Sequence, residues 1–385
     1  MPIKSLKNLC VFSIVILLLS NVGCSHNAAT LSTSHEKIEF SSQAKTYDHP
    51  QSEKITSDKP TIVILATGGT IAGTGAPGKS TNYNPGQLSV DTLAKVAELT
   101  ELANIKGEQI CNINSDDITS EIWLKIAKRI NLLSQDPSIY GFVVTHGTDT
   151  LDETAFFLNL TVKTDKPVVI TGSMRPATAL SADGPLNLHQ AVALSANKKA
   201  KGKGVLAVIS DRIYGARNLR KISTFNVNAF SEGDYGCLGY IIDDNILFMH
   251  HTDKLHTLNS EFDISNLNTL PKVAVVYFNV DSDSSIIDYY ANKGYKGLVI
   301  AGAGSGEYNK EWDDAIKRHK HMVFIRSTRV SGGYVSDNDH FDGLNVIGGH
   351  DLQPQKAAVL LRLALAKTHN INKIKKIGSV QKSVG

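Results

Sequence analysis

Short apolar runs recur along the chain from Thr61 onward: TIVILA (61–66), GFVVTH (141–146), PVVIT (167–171), VLAVIS (205–210), VAVVYF (273–278), GLVIAG (297–302) and MVFIRS (322–327). Each is continuous rather than alternating, which is the pattern of parallel strands covered on both faces. Between the runs the period changes. Trp123, Ile126, Ala127, Ile130 and Leu133 repeat at helical spacing, and Leu360, Leu361 and Leu363 lie in another helical segment that opens after Pro354. Strand and helix in alternation predict a doubly wound α/β fold. The rhythm breaks between about 240 and 272, where His250, His251 and the polar stretch TDKLHTLNSEFDISNLNTLP intervene. The pattern therefore predicts a larger N-terminal domain over 60–250, its mostly parallel sheet flanked by helices, then a connector over 251–272. A smaller C-terminal α/β domain follows over 273–385, and its basic tail NINKIKK is expected to be a solvated end.

The first 59 residues have a different pattern. Lys4 and Lys7 precede an apolar run from Leu9 to Leu19. As a helix this run rises about 16 Å, roughly half a bilayer core, so it predicts a signal peptide over 1–24 and not a membrane span. Val22-Gly23-Cys24 closes it, with a small residue before the cysteine as in a bacterial lipobox, although Asn21 stands where that motif has Leu. Two readings stay open: lipidation at Cys24, or ordinary secretion with Cys24 near the cut. Residues 25–59 are polar and aperiodic, as a flexible tether would be.

Composition narrows the partners. Forty Lys+Arg against thirty-seven Asp+Glu leave a net charge of +3, which gives no reason to expect nucleic acid or a lipid surface as a ligand. The four cysteines, Cys10, Cys24, Cys111 and Cys237, have no metal-ligand spacing, and Cys111 and Cys237 are expected to be buried thiols. His250-His251 has no third ligand nearby in sequence. No metal or cofactor is expected.

In open α/β sheets, ligands sit beyond the carboxyl ends of the strands. After the first run comes Thr67-Gly68-Gly69-Thr70, and after the second Thr145-His146-Gly147-Thr148-Asp149-Thr150. Each puts a hydroxyl on a glycine-loosened turn, an arrangement suited to acyl transfer, with one hydroxyl attacking and backbone N–H groups facing the oxyanion. Tyr83 and Lys221 are the candidates to take the proton. Taken singly, each threonine is more readily a helix cap or turn residue, and their joint placement after strands is what raises the functional reading. A competing motif is Gly73-Thr74-Gly75-Ala76-Pro77-Gly78-Lys79-Ser80, which matches the phosphate loop GxxxxGK[ST], with Tyr240-Ile241-Ile242-Asp243-Asp244 imitating its magnesium-holding partner. That mechanism needs a helix directly after the loop, and Pro85 and Gly86 deny one. His146 is expected to be a structural hydrogen-bonder, and Arg326 and Arg329 to pair at a domain or subunit surface.

At these residues the chain resembles the bacterial type II L-asparaginases, including their glutaminase-asparaginase branch. The likeness rests on ILATGGTIAG (64–73), THGTDT (145–150) running on into LDETAFFL, GSMRP (172–176), SADGPLNL (181–188), RNLRK (217–221), IRSTRV (325–330) and DLQPQKAAVLL (351–361). The resemblance implies hydrolysis of the side-chain amide of L-asparagine, with L-glutamine as the alternative substrate. It implies that Thr70 is the nucleophile and that Tyr83 lies on a loop closing over the substrate. Thr148, Asp149 and Lys221 would form a second activating set. Ser115 would bind the substrate carboxylate, with Asp149 and Asp116 on its α-ammonium. It also implies a homotetramer in which each site borrows residues from a neighbouring subunit, Glu307 and His340 standing nearest those positions. Asp116 departs from the Gln or Glu of many members, which would reshape the α-amino pocket.

Overall fold

The computed structural model describes residues 59–337 and 344–380, so the expected signal peptide, Cys24, most of the tether and His340 lie outside the described residues. The large sheet has eight strands. From one edge to the other they are Asn104–Ile113, Thr61–Gly68, Ile139–Thr145, Val168–Thr171, Val205–Ile209, Arg212–Gly215, Gly239–Ile242 and Asn245–Phe248. The first five are parallel, and the last three extend the sheet antiparallel. A second sheet of four parallel strands contains Val273–Tyr277, Gly297–Gly302, Val323–Thr328 and Val346–Gly348. All seven runs read from the sequence are strands. Six of them are buried almost throughout because helices cover both faces of the parallel portion, whereas the edge strand Val273–Tyr277 leaves Val275 and Tyr277 exposed.

The helices follow from their periodicity and caps. Ser120–Leu133 starts where the Thr119 hydroxyl accepts from the Ile122 N–H, and it buries Trp123, Leu124, Ile126, Ala127 and Ile130. Leu151–Thr161 shows almost no polar face because it lies at the centre of the molecule. One apolar cluster runs from the large sheet (Val144, Ile170) through Phe156 and Phe157 of this helix. It continues to Leu360 and Leu361 of helix Pro354–Lys367 and reaches Val299 and Ile325 of the small sheet. The two sheets thus share a core, and the described residues form one compact unit.

Three expectations change. The basic tail is not a loose end but a helix, Ile371–Val380, that docks through the buried Ile374 and Ile377 while Lys373 and Lys376 stay exposed. Cys111 and Cys237 are free but only half-buried. Arg326 is a buried residue of strand Val323–Thr328, its guanidinium donating to the Ser305 carbonyl at 3.0 Å, and it does not lie at a surface.

Candidate active site

Strand Thr61–Gly68 leads to the edge strand Asn104–Ile113 on one side, and the chain then returns across it to strand Ile139–Thr145 on the other. The two connections diverge, which leaves a crevice beyond the carboxyl ends of these strands. The loops after all three strands meet there. Gly69 and Gly147 touch so closely that a Cβ on Gly69, whose φ is +75°, would lie 2.4 Å from the Gly147 nitrogen. No other residue type fits that contact.

The Thr70 and Thr148 hydroxyls each have a partner. Thr70 Oγ1 and Tyr83 Oη are 2.6 Å apart, with Tyr83 brought back by the antiparallel pairing of Thr74–Gly75 with Tyr83–Asn84. Lys221 Nζ donates to Thr148 Oγ1 at 2.9 Å and to Asp149 Oδ1 at 2.6 Å. Lys221 itself sits in a two-residue strand paired with Phe230–Ser231. The third loop is stitched to the second: the Asp149 N–H donates to Ser115 Oγ at 3.2 Å, and Thr150 Oγ1 donates to the Ser115 carbonyl at 2.6 Å. Thr70, Ser115 and Thr148 are all buried, whereas the Asp149 side chain is 65% exposed. The crevice therefore pairs enclosed hydroxyls with a carboxylate at its mouth.

His146 explains part of this rigidity. It is fully buried, with Nδ1 2.7 Å from the Gly147 carbonyl and Nε2 2.9 Å from Thr154 Oγ1. Trp123 Nε1, which can only donate, binds the same Thr154 oxygen at 2.8 Å. The Gly147 carbonyl can only accept, so Nδ1 carries the hydrogen and, in the neutral ring, Nε2 accepts from the Thr154 hydroxyl. Burial pushes the imidazole down to about 4, so the ring stays neutral and fixes the turn that presents Thr148. Behind the crevice, burial and the neighbouring Asp152 raise Glu153 to about 7.

Of the candidates from the sequence, Thr70 and Tyr83, then Ser115, Thr148, Asp149 and Lys221, are joined by the contacts above. Asp116 follows Ser115 in the short helix Ser115–Asp117 and is exposed. Glu307 lies in the turn after strand Gly297–Gly302, bridged to Ala303, with Oε1 3.5 Å from Arg326 Nη2 and its side chain 62% exposed. The phosphate-loop match does not have its required context. Its lysine and serine lie between the paired segments Thr74–Gly75 and Tyr83–Asn84, and the next helix begins only at Val90. Its acidic partner is a hairpin turn, with φ of 46° at Asp243 and 61° at Asp244, joining two antiparallel strands. Among the described residues no group of three or more His, Cys, Asp or Glu is placed to hold a metal ion. Residues unread in the sequence include Thr154, Lys356 and the Arg217–Asp351 ion pair, whose shortest contact is 2.7 Å. A lysine at the start of the apolar run AAVLL was the one available signal.

Comparison with known proteins agrees with this geometry. The family described as "Asparaginase, N-terminal" matches residues 61–254, and "Glutaminase/Asparaginase C-terminal domain" matches 272–377. A "Probable L-asparaginase periplasmic" of Haemophilus influenzae is 46% identical over 81% of this chain and 90% of its own length. A "Glutaminase-asparaginase" of Acinetobacter glutaminasificans is 43% identical over 82% and 98%. The crystal structure of a probable cytoplasmic L-asparaginase from Campylobacter jejuni superposes with a TM-score of 0.81 at 46% identity, covering 83% of this chain and 99% of that one. With threonine loops at the switch point of its large sheet and both family halves matched in order, the chain belongs to the asparaginase family.

Proposed function

We propose that the protein hydrolyses the side-chain amide of L-asparagine to L-aspartate and ammonia through an acyl-enzyme on Thr70. The observation that carries the reading is the pair of enclosed threonine hydroxyls, each held by its own proton-handling partner. Thr70 Oγ adds to the amide carbon as its proton is relayed through the Tyr83 hydroxyl, which gives its own proton to the departing amide nitrogen. The tetrahedral adduct collapses, and the amide nitrogen leaves with a proton as ammonia. Water then attacks the ester, activated by Thr148 and Lys221, and the Thr70 hydroxyl is restored. Because the Lys221 ammonium donates to Thr148 Oγ1, the Thr148 hydrogen is free to point toward substrate or water. Ser115 meets the α-carboxylate, and Asp149 with Asp116 meets the α-ammonium.

Glutamine is the second reading. It is one methylene longer, a difference that an apolar contact discriminates by only about 10–200-fold. The exposed Asp116 leaves room at the α-amino end. Steady-state ammonia release from asparagine and glutamine, measured side by side, tests both. Release from asparagine at the higher kcat/KM supports the first, and comparable values support the second. No release from either would leave an amino-acid-binding lipoprotein, and stabilisation by ATP would revive the nucleotide-binding reading.

Export, periplasmic residence and a lipid anchor at Cys24 complete the proposal, supported by the charged-then-apolar pattern of residues 1–24. Fatty-acid labelling that is equal in wild type and Cys24→Ser would remove the anchor. We also assign a homotetramer in which Glu307 faces a neighbour's crevice. A fully active monomer in sedimentation would remove that assignment.

A further inference from the structure

The Lys221 ammonium must reach Thr148 and Asp149 from a strand of only two residues. Such a short element does not fix its own position, and sites built on it need support from behind. That support comes from the other end of the chain.

Lys356 is the third residue of helix Pro354–Lys367 and is 1% exposed. Its ammonium donates to three backbone carbonyls, Ala216 at 2.7 Å, Arg217 at 2.8 Å, and Leu219. All three N–H bonds are thus used on one stretch that ends just before Arg220-Lys221. The stretch needs such a partner. It has left strand Arg212–Gly215, so its carbonyls have no ladder to join, and buried carbonyls must be satisfied somewhere. Other contacts hold the same stretch. Glu232 Oε1 accepts from the Gly215 N–H at 2.8 Å, and the Arg217 guanidinium grips both oxygens of Asp351 at 3.2 and 2.7 Å. Ile222 N–H closes the far side on the Ala229 carbonyl at 2.7 Å.

The lysine is an unfavourable choice on packing grounds alone. Its neighbours Ala357, Ala358, Val359 and Leu360 are all buried, and an apolar residue would suit the run. A positive charge in a helix's first turn opposes the helix dipole, and a wholly buried ammonium loses its hydration. Asp152, Glu153 and Glu232 are close enough to favour the charge, and Arg217 opposes it. What only the ammonium supplies is a three-way grip on the backbone leading to Lys221.

Resting on the catalytic reading above, we infer that Lys356 is a positioning residue for Lys221, holding residues 216–219 so that the Lys221 ammonium meets Thr148. It touches no substrate and acts through Lys221. A double-mutant cycle separates this from simple helix docking: kcat and KM for asparagine in wild type, Lys356→Met, Lys221→Met and the double variant. Lys356→Met is expected to lower kcat roughly 10–100-fold, since small misplacements cost that much, with KM changed less than about threefold and the circular dichroism unchanged. In the Lys221→Met background the same substitution should cost less than about threefold, because coupled residues are non-additive. Losses that multiply, or an unchanged kcat in Lys356→Met, overturn the inference while leaving the mechanism standing. A fully active Lys221→Met overturns both. Should Lys356→Met fail to fold, Lys356→Gln, which keeps two of the three N–H donors, should lower kcat by a smaller factor that shrinks again in the Lys221→Met background, and an equal loss in both backgrounds overturns the inference.

Discussion

Thr70 and Thr148 stand beyond the ends of adjacent strands, yet their hydroxyls are partnered from opposite kinds of structure. Tyr83 is only 13 residues from Thr70 and returns on a two-residue pairing in a glycine-rich loop. Lys221 is 73 residues from Thr148 and is held through residues 215–219 by Glu232, Asp351 and Lys356. The turn behind Thr148 is itself pinned by the His146–Thr154–Trp123 chain. A locally built partner can retreat to admit substrate and return, as a nucleophile's proton acceptor must. A partner anchored in the shared core keeps one geometry through the cycle, which suits a group that activates water in a fixed place. On the proposed mechanism the two centres would divide the work between adaptability and preorganisation.

The largest effect should come from the hydroxyls themselves. Thr70→Ala is expected to lower kcat for asparagine at least about 10³-fold and to abolish any acyl-enzyme in rapid-quench mass spectrometry. Thr148→Val should fall by about 10²–10³-fold while still accumulating acyl-enzyme, because only deacylation loses its activator. If Thr70→Ala remains active, or if Thr148→Val is the variant that loses the adduct, the two roles are exchanged.

The next effect concerns the rigid centre. His146 titrates at about 4 in the folded chain against an ordinary value near 6.5. Between those values the unfolded state binds more protons, so stability is full above about pH 6.5 and is lost as pH falls toward 4. The loss is of order 3 kcal/mol at most. Nitrogen-15 spectra of the ring should show the neutral Nδ1–H tautomer from pH 8 down to about 5. An imidazolium already present at pH 6 would mean that the turn behind Thr148 is not the rigid one.

The sequence exposed the adaptable centre more fully than the rigid one, for a physical reason. Thr70 and Tyr83 share one short stretch, and parallel strands buried on both faces leave continuous apolar runs that are easy to read. The edge strand Asn104–Ile113 was missed because only Ile110 of its ten residues is buried. The antiparallel extension was missed because its strands are four residues long and turn at Ser210-Asp211 and Asp243-Asp244, which carry φ > 0 without glycine. The contacts of Lys356 span up to 140 positions, and no local pattern encodes such a separation. Glu307 was carried across by position alone: its side chain meets Arg326 within this chain, and the crevice it is proposed to face is a neighbour's.

The smallest effect tests the rim where the centres meet. Asp116 follows the buried Ser115 but is itself exposed, so replacing it should leave the fold and both threonine pairs intact. Surface substitutions of this kind change stability by within about 0.5 kcal/mol. The proposed mechanism puts its carboxylate at the α-amino end of the substrate, where asparagine and glutamine differ only in how far the amide then reaches toward Thr70. Asp116→Gln removes a negative charge and adds a methylene, which displaces both substrates but not equally, because glutamine is the longer. The expected result is a change of roughly 3–10-fold in the ratio of kcat/KM for asparagine over glutamine, with the melting temperature nearly constant. A fall of both constants in proportion would make Asp116 a contact that binds the α-ammonium without selecting chain length. An unchanged pair would place discrimination deeper, between Thr70 and Tyr83, and would move selectivity to the adaptable centre.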